Sequence, residues 1–169
     1  MAMSKQLPVD PLPHFKSLAA AVRSEGQPEA TFRALDVAMK GVIGHKIMTV
    51  LIYHEVLQET ERFYSSNLEA YPIAGRKQVR PTSWTEQLLI GQNCYIGNNA
   101  ADIRRFFLDH ELINSLGCDA ILNVPVVWNG ITLGTCNLMH EEDWYEESDA
   151  EIAMAIVSVA ASAYLQVSG

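Results

Sequence analysis

Between Ala120 and His140 nearly every position is apolar, and the run is broken once in the middle, at Asn129-Gly130. Both residues tolerate positive φ, which a two-residue type I′ turn requires, so the run predicts a β-hairpin. Its strands are apolar on almost every residue rather than on alternate ones, so both faces are expected to be covered. Elsewhere the period changes. Phe15, Leu18, Ala19 and Val22 recur at helical spacing and predict a helix over 14–24. Phe32, Leu35, Met39 and Val42 predict a second, opened at Pro28 with Glu29 in its first turn and ended by Gly41 and Gly44. Residues 46–55 read as a strand, 58–61 as a polar turn and 62–65 as a second strand. From Ser66 to Pro81 no period is visible, and long loops inside compact domains tend to be functional. Ser83-Trp84-Thr85-Glu86 fits a capping box for a short helix ending near Ile90, and Cys94-Tyr95-Ile96 reads as a short strand. Residues 100–107 and 111–116 follow as two short helices.

A second capping box, Ser148-Asp149-Ala150-Glu151, predicts one final helix over 149–166. From Ile152 to Tyr164 it carries no charge, and a helix apolar all round must be buried all round. One side is expected against the sheet and the other against a second subunit, giving a homodimer through the C-terminal and N-terminal helices. The order of elements predicts an α+β fold. Its central antiparallel sheet has terminal helices on one face and a loop and short-helix layer on the other. Residues 1–13, with Pro8, Pro11 and Pro13, read as an extended lead-in, and 14–169 as a single domain.

Composition narrows the function. A net charge of -8 argues against nucleic acid, which needs clustered Lys and Arg. Three widely spaced cysteines, Cys94, Cys118 and Cys136, suggest neither a disulfide framework nor a metal site. No apolar run is long enough for a membrane span or a signal peptide, so a cytoplasmic protein is expected. No cofactor fingerprint is found: there is no phosphate-binding glycine loop, nucleophile elbow or HExxH.

Leu122-Asn123-Val124-Pro125-Val126, Asn129-Gly130 and Leu133-Gly134-Thr135-Cys136-Asn137-Leu138, in this order of elements, resemble a GAF domain over about 28–166. The resemblance implies a small-molecule pocket between one sheet face and the loop layer of roughly residues 64–118, and dimerisation through terminal helices. The expected function is a sensory, ligand-binding domain without its own output domain, acting through dimer or partner contacts. The alternative is a redox enzyme resembling the free methionine-(R)-sulfoxide reductases, suggested by Cys118-Asp119-Ala120. Against it, Arg80–Gln87 lacks the resolving cysteine, and Asn137-Leu138-Met139-His140 lacks the acids of that family's final strand.

A ligand pocket needs apolar walls and a few polar anchors. The loop layer offers Tyr64, Ser65, Tyr71, Lys77 and Trp84; the later segment offers Arg104, Phe107, His110 and Cys118; the sheet offers Tyr53 and Asn123. Asn123 is the sharpest candidate, because an amide in an apolar strand must find partners or cost stability. Lys77, Arg104 or His110 could meet a carboxylate, so a small aromatic or carboxylated molecule is the expected partner.

Overall fold

The computed structural model describes residues 8–168. The first seven residues of the expected lead-in lie outside that range, and its end is already helical, since α1 spans Leu12–Val22. Pro13 sits in the first turn, where its missing N–H is not needed. Helix α2 (Glu29–Val42) follows. The sheet then begins with β1 (Ile47–His54) and β2 (Glu59–Ser65). Its turn lies at Glu55–Gln58, earlier than expected, with Val56 and Leu57 exposed at its tip. The segment read as a structureless loop contains an edge strand, β3 (Arg76–Gln78), paired with Glu59–Glu61. Its exposed, charged residues suit a sheet edge, which is why no apolar alternation marks it.

Helix α3 (Ser83–Thr85) widens into a π-helical turn over Glu86–Ile90. Its cap is Thr82, not Ser83: Thr85 N–H donates to Thr82 Oγ1 (3.2 Å) and Thr82 N–H to Thr85 Oγ1 (2.8 Å). Strand β4 (Tyr95–Gly97), helices α4 (Ala100–Phe106) and α5 (His110–Ser115) and the hairpin β5 (Ala120–Trp128) and β6 (Ile131–His140) complete this half. Asn129 and Gly130 have φ of 52° and 73°, the two positive values of a type I′ turn.

The expected single terminal helix is two. Helix α6 (Glu147–Val159) is capped by Glu146 and Asp149 rather than by Ser148, and α7 (Ala161–Val167) turns away by 58° at Ala160. The turn tightens there, with Ala160 N–H bonding Val157 O, and α7 anchors itself through Tyr164, whose hydroxyl donates to Thr135 O (3.1 Å). Among the described residues no single helix is long and apolar enough to cross a membrane.

The strands form one antiparallel sheet in the order β3-β2-β1-β6-β5-β4. On one face Met48, Val50, Ile52, Leu122, Val124, Cys136 and Leu138 pack against α1, α2, α6 and α7. Phe32 meets Tyr164 edge to face at 5.3 Å in this core. Each such fully buried large side chain stabilises the fold by about 1.5–3 kcal/mol. Ala150, Ala153, Ile156 and Val157 of α6 are buried within this single chain, so much of the burial demanded by its composition is met without a partner. The opposite face, with Ile47, Ile121 and Met139, is roofed by the loop and short-helix layer.

Candidate functional site

Two bulges decide which side chains face the roof. Between β5 and β6 the register slips after Val127–Thr132, leaving Leu133 as the extra residue, so that Asn123 lies opposite Asn137. Between β1 and β2 a second slip makes Phe63 the extra residue, with Val50 opposite Tyr64 and Leu51 opposite Arg62. Arg62 and Tyr64 therefore point to opposite faces although they are two apart. Tyr64 goes to the helix side and donates to Asp36 (2.5 Å), which also meets His45 Nε2 (2.8 Å). Arg62 stays on the roofed side.

There a cavity of about 380 Å³ opens between sheet and roof. One strand row, Asn123, Asn137 and Thr49, crosses its floor side by side. These groups form a directed hydrogen-bond chain. Trp84 Nε1 donates to Asn123 Oδ1 (3.0 Å), and Asn123 Nδ2 donates to Asn137 Oδ1 (2.7 Å). Asn137 Nδ2 then donates to Thr135 Oγ1 (3.1 Å) and Thr49 Oγ1 (3.3 Å). An indole N–H can only donate, so it fixes the orientation of both amides and the direction of the chain. Apolar lining comes from Leu51, Ile121 and Met139 on the sheet and from Phe106 and Phe107 on the roof, with Phe107 edge to face on Trp84 at 5.1 Å.

At one side Arg62 donates to Pro72 O (3.1 Å) and lies over the Tyr71 ring, 5.0 Å from its centre. Its Nε is buried with no partner among the described residues. Burial pulls the guanidinium below its ordinary value against the opposing fields of Tyr71 and Asp109. It nevertheless remains a cation. Tyr71 in turn donates to Asp109 Oδ2 (3.1 Å), and burial and that carboxylate push its phenol up.

Of the eleven side chains singled out from the sequence, Tyr71, Lys77, Trp84, Arg104, Phe107 and Asn123 line this cavity. Five do not. Tyr64 is on the other face because of the bulge. Tyr53 accepts from Gln58 Nε2 (2.9 Å) at the β1–β2 turn, and Ser65 caps a local turn through Asn67. His110 and Cys118 line a different hollow, of about 430 Å³, beside α4 and α5. That hollow has no chain of buried amides; its Asn114 and Asp119 bond each other at the surface (2.6 Å). The inner cavity is therefore the candidate site. Arg62, Thr49, Thr135 and Asn137 were missed. The last three carry a usable signal, since each is a polar residue inside an apolar strand.

A sheet with four terminal helices on one face and a short-helix roof over a cavity on the other is a shape shared with solved structures. The GAF domain of an Acinetobacter phosphoenolpyruvate-protein phosphotransferase superposes with a TM-score of 0.72 at 10% identity, covering 92% of each chain. The chain has the GAF fold. A second such domain, from the phosphoenolpyruvate-protein phosphotransferase of Coxiella burnetii, gives 0.70 at 13% identity, covering 92% of this chain and 93% of that one. The phycocyanobilin-bound GAF domain of a cyanobacterial phytochrome gives 0.67 at 13% identity, covering 96% and 100%. No family model and no curated relative matches the sequence.

The cysteines of this fold are poorly placed for thiol chemistry. Burial pushes the Cys118 thiol up to about 11 despite Lys46, and the Cys94 thiol up to about 12, with Glu147 adding to it. Cys136, wholly buried, is pushed up further still. A reactive cysteine needs the opposite, a thiolate favoured at neutral pH.

Proposed function

We propose that this protein is a small-molecule-binding regulatory domain and that its ligand occupies the cavity between sheet and roof. The observation that carries the reading is the hydrogen-bond chain from Trp84 to Thr49 and Thr135 on the floor of an apolar cavity. Buried amides are costly unless satisfied, and a row of them across a binding-sized space supplies orientation where apolar walls supply affinity. Acting in the cytoplasm fits three unpaired thiols, the state a reducing compartment maintains. The bound state would be reported through contacts with a second copy or with another protein surface. Phe15, Val22, Ile152 and Met154 leave half-buried apolar surface on α1 and α6 for such a contact.

Thermal unfolding of the purified protein against a library of small metabolites tests the reading. A ligand present at a hundredfold its Kd stabilises by about 2.7 kcal/mol. For a domain of this size that raises Tm by roughly 5–10 °C. Leu51→Trp, which fills the cavity from its floor, should abolish the shift. A hit that stabilises wild type and Leu51→Trp equally would overturn the assignment of the site.

A further inference from the structure

We propose that the cavity takes a small organic anion, a carboxylate on a flat apolar body, its charged group held by Arg62 and the hydroxyls of Thr49 and Thr135. This rests on the reading that the cavity binds a small molecule, and it adds the sign of that molecule's charge.

Three observations converge. The first is the distribution of charge. The chain has 12 Lys and Arg against 20 Asp and Glu. Yet Arg62, Lys77, Arg80, Arg104 and Arg105 all line the cavity, and among the described residues Asp109 is the only carboxylate that does. Among the described residues none of these five cations lies within ion-pair distance of a carboxylate. An acidic protein has thus placed five of its twelve lysines and arginines around one apolar space.

The second is Arg62 itself. Its Nε–H is buried and unpartnered, a costly state for a charged donor. A guanidinium offers donors in a planar fork that matches a carboxylate with two parallel bonds. The third is the direction of the floor chain. Because the indole forces every amide to donate onward, the chain ends on two hydroxyls that accept from Asn137. Neither Thr49 nor Thr135 has an acceptor for its own hydroxyl hydrogen among the hydrogen bonds of the described residues. Two donors are therefore left at the end of a polarised chain, and such chains strengthen when their last member also donates. An acceptor completes this network; a donor does not.

The apolar body follows from the walls, where Trp84, Phe106, Phe107, Ile121 and Met139 offer surface to a flat hydrocarbon rather than to a bare inorganic ion. A planar guanidinium fork beside two hydroxyl donors matches the two oxygens of a flat carboxylate, which is the charged group proposed.

The test uses naphthalene-2-carboxylate and its uncharged isostere naphthalene-2-carboxamide, titrated into the full chain by calorimetry with tryptophan fluorescence as a second readout. The carboxylate should bind tighter by on the order of tenfold, the yield of one charge-assisted hydrogen bond. Arg62→Gln should remove that preference, weakening the carboxylate by several-fold more than the carboxamide. If Arg62→Gln does not fold, the double variant Lys77→Gln/Arg104→Gln, confined to exposed side chains, should reduce the preference several-fold. Carboxamide binding as tight as carboxylate overturns the anion and leaves the cavity reading standing. So does a preference that neither variant changes. Tighter binding of naphthyl phosphate overturns the carboxylate assignment. Failure of every probe to bind at millimolar concentration overturns the anion and the cavity reading together.

Discussion

Asn123 concentrates the argument at the scale of single residues. Its carbonyl accepts from Trp84 and its amide donates to Asn137, so replacing it breaks two bonds and strands a partner on each side. Asn123→Leu is expected to destabilise the protein by about 1–3 kcal/mol per stranded group. Urea unfolding would measure this, and a loss under about half a kcal/mol would show the row to be water-satisfied. A second test concerns Asp36. Burial alone would raise its carboxyl, but hydrogen bonds from His45 and Tyr64 and the charges of His45 and Lys40 hold it below its ordinary value. A depressed carboxylate contributes stability that is complete above its unfolded value, about 3.9, and lost as pH falls through the lower folded one. Unfolding from pH 5 downward should thus show an acid-sensitive component that Asp36→Asn lacks. Asn123 was visible in the sequence because an amide interrupts an apolar strand. Arg62 was not, because a lone arginine beside Phe63 and Tyr64 looks like any surface charge.

At the scale of elements, the helices and the hairpin were legible because period and turn chemistry are local. The two bulges were not, since a bulge is a property of a pair of strands. A regular two-residue turn at Asn129-Gly130 would set Asn123 against Cys136 and send Asn137 into the helix-side core. The extra Leu133 reverses the facing of the rest of β6 and delivers Asn137 to the cavity. Phe63 does the same to Tyr64, sending it to the helix side, while Arg62 keeps the regular register opposite Leu51. The reading of Tyr64 as a pocket residue failed for that reason. Gly134 stands next to the first bulge, where an added Cβ would lie 2.1 Å from Leu51 O, a backbone atom that cannot swing aside. Gly134→Ala is therefore expected to cost about 3 kcal/mol, the upper end of ordinary overpacking, with β1 and β6 forced apart. A Tm within a degree of wild type would mean that the strands separate at no cost. The split of the last helix was equally hidden, because no Pro or Gly marks Ala160; the docking of Tyr164 on Thr135 sets it from outside.

For the whole molecule, the antiparallel sheet between two unlike layers followed from element order alone, and the cavity between sheet and roof from the resemblance. The homodimer stands differently, since α1, α2 and β5 cover much of α6 within one chain. If a second copy uses the remaining apolar surface of α1 and α6, sedimentation should show a dimer that Ile152→Glu returns to monomer. Sedimentation of the wild type as a monomer at every concentration would place the output on a different partner. The gathering of cations at the mouth also has a consequence in time. Outside the cavity the chain is strongly negative and repels anions, whereas an apolar-walled mouth lined with positive charge draws field lines inward. Anions would then be captured from one direction only and at an accelerated rate. That rate should fall as salt shortens the screening length, about 10 Å at 0.1 M, towards the width of the mouth. Escape, if short contacts with Arg62 and the floor hydroxyls hold the anion as proposed, should vary far less.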